Sequence, residues 1–342
     1  LDAIDAAARA GQTHYVPNDG IPELRRALAE KLRTKNAILG VEPEHVFLTK
    51  GAMHALYVAF GTLLDEGDEV IIPDPMWTEV GENIKLAGGV PVHVPVRAEA
   101  GYAYEPDAIA AAITERTRVI FVNSPHNPTG AVAPRETLEA IIELARAHDC
   151  WIVSDEAYED VIYEPHAHHS SAALAGDWAD RVLSVYSFSK SHAMSGLRVG
   201  YLVARPRFLR GRIQNLLPCT INGVTSLARW GALAAVTGPQ DHLAAMRAEY
   251  ALRRDLMLAG LEGIPGVRPF RPGGAFYIWA ELDRELYERL GVANADALSA
   301  KLAAQGIGSA PGDAFGVHCE DAIRFAYSCD TAMVRDGAVR LR

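Results

Sequence analysis

The sequence predicts an α/β protein: a mostly parallel seven-stranded sheet sandwiched by helices, with a smaller α+β C-terminal domain. Three observations carry this. Seven short runs rich in β-branched residues recur over the first two thirds of the chain, with helical patterns between most of them. Such alternation implies parallel strands with helices on both faces of one sheet. From about Gly238 the alternation gives way to a long polar helix followed by shorter strands and helices. The length of 342 residues is enough for about two domains with cores of their own.

In order, the strand-like runs are Val46–Thr49, Glu69–Pro73, Val90–Val96, Val119–Asn123, Trp151–Ser154, Val182–Ser187 and Val199–Val203. A helical pattern over Met53–Leu63 follows the first run. The clearest helix opens after Pro134, where Leu138, Ile141, Ile142 and Ala145 recur at helical spacing and share one face. Asp241–Leu261 reads as the long helix of the second part, with Ala275–Glu281 and Ala322–Tyr327 as strands. We expect residues 16–237 to form the larger domain, and residues 1–15 together with 238–342 the smaller one.

Composition removes several functions. Asp and Glu total 43 against 33 Lys and Arg, a net charge of −10. This argues against nucleic acid or an anionic membrane surface as the main partner. No apolar run approaches the roughly 18 residues a spanning helix needs, and Leu1 to Gln12 lacks the basic start of a secretory signal. The four cysteines, Cys150, Cys219, Cys319 and Cys329, are scattered without CxxC spacing, which fits a reducing, cytoplasmic setting. Only six basic residues are lysine: Lys31, Lys35, Lys50, Lys85, Lys190 and Lys301. The plain reading of that scarcity is a coding bias without functional content, but it makes each lysine easier to judge.

In open α/β sheets, ligands gather outside the carboxyl ends of the strands. Four strand ends carry chemistry: Thr49-Lys50-Gly51-Ala52, Asn123-Ser-Pro-His-Asn127-Pro-Thr-Gly130, Ser154-Asp155-Glu-Ala-Tyr158 and Ser187-Phe-Ser189-Lys190. A lysine flanked by hydroxyls, with Arg198 eight residues on, suits an amine that reacts beside a phosphate dianion; a solvated lysine in a serine-rich loop is the plain alternative. Gly51, at a strand-to-helix turn, offers free N–H groups and a positive helix end to an anion, or is an ordinary glycine turn. Asp155 ends an apolar strand, where a carboxylate is costly unless a cation or strong donor meets it. A protonated pyridine nitrogen is such a partner, and Tyr158 could reach a phenolate oxygen on the same ring; a helix N-cap is the alternative. The GxGxxG, P-loop, HExxH and GxSxG patterns are missing. The tract Glu164-Pro-His-Ala-His-His169 reads as a loop of exposed histidines without the carboxylate or cysteine geometry of a metal site, so no metal is expected.

Taken together and in this order, these motifs resemble the pyridoxal-phosphate (PLP) aminotransferases of fold type I, class I/II, the aspartate-aminotransferase-like group. The likeness runs from about Tyr15 to Arg324. It implies pyridoxal 5′-phosphate as cofactor, with Lys190 as the catalytic lysine that forms the Schiff base. Asp155 would bond the pyridine nitrogen, and Asn127 and Tyr158 the ring 3-oxygen. Ser187, Ser189, Arg198 and the Gly51–Ala52–Met53 backbone would hold the phosphate, Trp77 would stack on the ring, and Tyr15 would reach the phosphate of a neighbouring subunit. Arg324, with Asn127 beside it, would grip the substrate α-carboxylate in a bidentate fork. A cis Asn127–Pro128 peptide is also expected.

The resemblance further implies a homodimer with shared sites and ping-pong transamination between an L-amino acid and a 2-oxo acid. Lys190 must then be less basic than a free lysine, whose pKa is near 10.4; burial beside Arg198 and the phosphate cup pushes that way. In part of the family, a lysine two residues after the cup glycine contacts the distal carboxylate of dicarboxylic substrates. This chain has Met53 there, so a neutral or aromatic donor is expected. The family's N-terminal segment, which brings a glycine over the substrate, is expected to lie before Leu1. Two other readings stand beside this one. The first is another PLP reaction on the same scaffold (a C–S lyase, decarboxylase or cyclase), since fold does not fix reaction type. The second is a non-catalytic PLP-sensing domain of a transcription regulator, which the acidic charge disfavours.

Overall fold

The structure, a computed structural model, describes residues 1–341. Seven strands form the main sheet: β1 (Val46–Thr49), β2 (Glu69–Asp74), β3 (Val90–Pro95), β4 (Thr117–Asn123), β5 (Trp151–Asp155), β6 (Val182–Ser187) and β7 (Gly200–Val203). Their spatial order is β1-β7-β6-β5-β4-β2-β3. β7 runs antiparallel to both its neighbours, and the remaining pairs are parallel. Each expected strand is present, within two residues at either end.

The sheet is covered on both faces, and the strand period of two shows why. In β4, Ile120 and Val122 enter one hydrophobic core while Val119 and Phe121 enter the opposite one. In β5, Ile152 joins the first core, and Trp151 and Val153 the second. Helices close both layers. Arg135–Ala147 buries Leu138, Ile141, Ile142 and Ala145, the stripe legible in the sequence. Gly51–Leu63 buries eight of its residues against the other face.

The C-terminal part folds around a four-stranded antiparallel sheet in the order β10-β11-β9-β8, built from β8 (Val267–Pro269), β9 (Tyr277–Leu282), β10 (Ser309–Pro311) and β11 (Ala322–Ala326). The helix Asp241–Leu261 matches its expected span and packs on Thr331–Arg340. β9 begins two residues later than Ala275 for a physical reason. Ala275 adopts a left-handed φ of 55°, and its N–H goes to Val161 O of the larger unit at 2.8 Å. The helix Asp2–Arg9 packs on Ser226–Thr237, with Ile4 where a Cβ on Gly231 would sit. Residues 1–15, expected with the smaller unit, thus touch the larger one in this chain. Among the described residues, no helix is long and apolar enough to cross a membrane.

Candidate active site

The carboxyl ends of β1, β4, β5 and β6 meet at one cavity of about 220 Å³. It is lined by Ala52, Met53, Trp77, Asn127, Asp155, Tyr158, Ser187, Ser189, Lys190 and Arg198, all of them expected site residues. Gly51 lies directly against the Arg198 guanidinium; a Cβ there would approach Nη2 to 2.7 Å. Arg324 comes from β11 and closes the site from the smaller unit. Tyr15 stands apart, 89% exposed.

Four sequence devices shape an anion cup. Gly51 takes φ +79°, open to glycine, and starts a 13-residue helix without a side-chain cap, so its first N–H groups stay available. Gly200 lets β7 approach this turn, since a Cβ there would lie 2.7 Å from the Gly51 carbonyl carbon. Arg198, at φ +54°, donates from Nη1 to Ser195 O (2.8 Å) and from Nη2 to Lys50 O (3.3 Å). Ser187 Oγ accepts the Ser189 N–H at 3.1 Å. Two hydroxyls, a guanidinium and an open helix end are a donor set that fits a phosphate dianion.

Asp155 supplies the opposite sign. It is buried and accepts the Ala157 N–H at 3.0 Å. Burial pushes its carboxyl up to about 6, an effect the Ala157 donor opposes and Glu156 reinforces. Lys190 is pushed the other way. Burial lowers its pKa, Asp155 opposes that, and Arg324 and Arg198 add to the lowering. Its Nζ lies 5.1 Å from the ring centres of both Tyr158 and Phe276. A buried carboxyl facing a depressed amine across a small cavity fits a pyridine ring that carries a positive nitrogen and a reactive carbonyl.

Asn127 is joined to Pro128 by a cis peptide. Its Oδ1 accepts from Arg324 Nη1 at 2.9 Å, and Asn123 Oδ1 holds its N–H at 2.9 Å. Arg324 also sits against three rings: Tyr277 at 4.4 Å, Phe315 at 4.6 Å and Trp77 at 5.4 Å. Its Nε has no hydrogen-bond partner among the described residues, so donor capacity remains for a carboxylate.

Sequence reasoning missed several members. Tyr277 pairs its hydroxyl with that of Tyr158 at 2.6 Å and lines the cavity. In the sequence it is one aromatic in an apolar strand, with nothing to set it apart from Phe276. Ser195 and Met76 are equally unmarked, whereas Asn123, as a strand-end asparagine, carried a signal. The histidine tract needs correction. His168 is half-buried, with Nε2 3.0 Å from the buried Glu156 carboxylate, because the loop folds back behind Asp155. Among the described residues, no group of three or more His, Cys, Asp or Glu is arranged to hold a metal.

Fold and site fit an enzyme whose cavity, at the sheet's carboxyl edge, could take a phosphorylated pyridine cofactor beside a lysine. The chain belongs to the class I and II aminotransferases, whose family model matches residues 1–341. It is 36% identical to an aspartate aminotransferase of Bacillus subtilis over 99% of this chain and 86% of that one. With an arginine–pyruvate transaminase of Pseudomonas aeruginosa it shares 38% identity over 99% of this chain and 84% of that one. The structure of an aromatic aminotransferase from Pyrococcus horikoshii superposes with a TM-score of 0.92, at 32% identity over 99% of this chain and 90% of that chain. The protein is therefore an amino acid aminotransferase that uses pyridoxal phosphate, and the lyase and sensor readings give way to transamination.

Proposed function

We propose that this aminotransferase moves the amino group between a neutral or aromatic L-amino acid and a 2-oxo acid, as a cytoplasmic homodimer. The observation that carries the substrate choice is the cavity wall. Met53 and Met76 stand beside Trp77 and Tyr277, and the only cations in the lining are Lys190 and Arg198. Both are committed to other work, so a distal carboxylate finds no free cation in this lining. The three relatives are named for aspartate, arginine and aromatic substrates, so family membership leaves this wall to decide.

PLP, when bound, supplies an electron sink for the carbanion formed at the substrate Cα. The chain's residues do the rest. The Gly51 helix end, Ser187, Ser189 and Arg198 hold the phosphate. Asp155 keeps a proton on the pyridine nitrogen, and Asn127 and Tyr158 meet the ring oxygen. Arg324 orients the substrate by its α-carboxylate. Lys190, as a neutral amine, would take the proton from the substrate Cα and pass it to the cofactor's C4′ within the same half-reaction, and would run the transfer in reverse with the 2-oxo acid; its lowered pKa supports this role.

Single-turnover rates with a panel of amino acids test the reading. We expect phenylalanine or leucine to exceed aspartate in kcat/KM by roughly tenfold or more, equivalent to about 1.4 kcal/mol. Met53→Lys should narrow that gap by adding a charge-assisted bond for the distal carboxylate. Aspartate as the best donor of the unaltered enzyme would sink the proposal.

A further inference from the structure

Asp74 ends β2, three residues before Trp77 and outside the lining of the cofactor cavity, and its side chain is fully buried. A buried carboxylate is retained only where donors meet it. Here they come from three consecutive residues of one loop in the smaller unit. Val317 N–H (3.1 Å) and His318 Nδ1 (2.6 Å) reach Oδ2, and Cys319 Sγ lies 3.2 Å from Oδ1. Gly316 is the enabling residue, because a Cβ there would overlap Oδ1 at 1.5 Å. His93, from β3, stands 3.9 Å from Oδ2. The contact continues along the chain. Met76 N–H donates to Phe315 O at 2.6 Å, and Thr78 Oγ1 donates to Ala314 O.

The clasp joins the two segments that wall in Arg324. Trp77 lies in the larger unit's half, three residues after Asp74. Phe315 lies in the other half, two residues before Val317, and its ring centre is 6.2 Å from that of Trp77 and 5.6 Å from that of Trp279. Trp77 and Phe315 supply two of the three rings around the guanidinium. An arginine held among ring faces keeps its charge at lower desolvation cost and loses rotamer freedom.

We infer that Asp74 is a positioning residue for substrate carboxylate binding: by clasping residues 317–319, it assembles the aromatic box that aims Arg324. It touches neither substrate nor cofactor and acts through Trp77 and Phe315. The inference rests on the reading of Arg324 as the carboxylate-binding residue.

The test compares cofactor-loaded Asp74→Asn and His318→Ala enzymes on two substrates: the best amino acid of the panel, and the amine obtained from it by removing the α-carboxylate. His318 is exposed on its outer side, so its variant carries the test if Asp74→Asn fails to fold. KM for the amino acid should rise roughly tenfold in Asp74→Asn and about threefold in His318→Ala, with kcat changed much less and kcat/KM for the amine within about twofold. Equal losses on amino acid and amine overturn the inference, as does an unchanged KM in both variants. Arg324→Lys separates the two layers. A raised KM there with none in Asp74→Asn overturns the clasp alone, whereas an unchanged KM in Arg324→Lys overturns the Arg324 reading beneath it.

Discussion

At the scale of single residues, burial and charge partnering decide what each group can do. Lys190 is not the only half-buried lysine. Lys31 lies beneath the Tyr186 ring at 4.6 Å, and burial lowers its pKa too. Yet Lys31 is pinned to Glu159 at 2.5 Å, while Lys190 faces the cavity. The sequence separated them by context, strand end and hydroxyl neighbours against helix interior, and that sufficed. It could not reveal that Lys31 is half-buried and paired, because its partner lies more than a hundred residues away. Asp155 makes a sharper prediction. Its carboxyl is raised from 3.8 to about 6 by burial, so the folded state holds a proton that the unfolded state gives up. Stability therefore falls as pH rises through the window from about 4 to 6, by on the order of 3 kcal/mol at most. Asp155→Asn should raise the Tm of the cofactor-free enzyme at pH 8, and the gain should vanish near pH 4, while turnover of the loaded enzyme collapses. A Tm difference that does not depend on pH would show that burial does not strain this carboxyl.

At the scale of elements, the motifs were legible because each is a local solution to a local problem: a helix start, a strand end, a turn. The cup was readable at Gly51 and Ser187 because both sit at element boundaries that the period of the chain reveals. Gly200 was not readable as part of it. Its role depends on β7 running antiparallel beside β1, a pairing across some 150 residues of chain, with Thr49 opposite Gly200. Tyr277 was hidden for the same reason, since its partner Tyr158 belongs to the other unit. Gly200→Ala tests the cup as an element. Its Cβ would press within 2.8 Å of the Gly51 Cα and 2.7 Å of Tyr186 O, and backbone cannot yield as a side-chain tip does. We expect a loss of about 1–3 kcal/mol in stability and a cofactor affinity weakened roughly tenfold or more by titration. Gly211→Ala is the control. It sits inside the helix Arg207–Thr220 with nothing within 4 Å of the new Cβ, and should stabilise by up to about 1 kcal/mol with unchanged affinity. Equal affinities in the two variants would remove Gly200 from the cup.

At the scale of the whole molecule, Tyr15 raises a question of symmetry. The other expected site residues lie on or beside one cavity wall, yet Tyr15 is 89% exposed in the single chain. A lone exposed aromatic is ordinary on a protein surface, so a neighbouring subunit is suggested by the motif that carries Tyr15 and not by its exposure. In a two-fold dimer, whatever one subunit gives, it also receives. If Tyr15 serves the neighbour's phosphate cup, every site contains Lys190 from one chain and Tyr15 from the other. Mixing two defective enzymes then discriminates between shared and separate sites. In a hybrid of Lys190→Ala and Tyr15→Ala subunits, one site collects both lesions and the other collects none, so a fully intact site is regenerated. We expect activity in the refolded mixture to rise clearly above the mean of the two parents, with gel filtration showing a dimer throughout. If each chain builds its site alone, every site in the mixture carries one lesion, and activity stays at that mean whatever the oligomeric state. An active monomer on gel filtration, or a mixture that only averages its parents, removes Tyr15 from the site and leaves it an ordinary exposed aromatic.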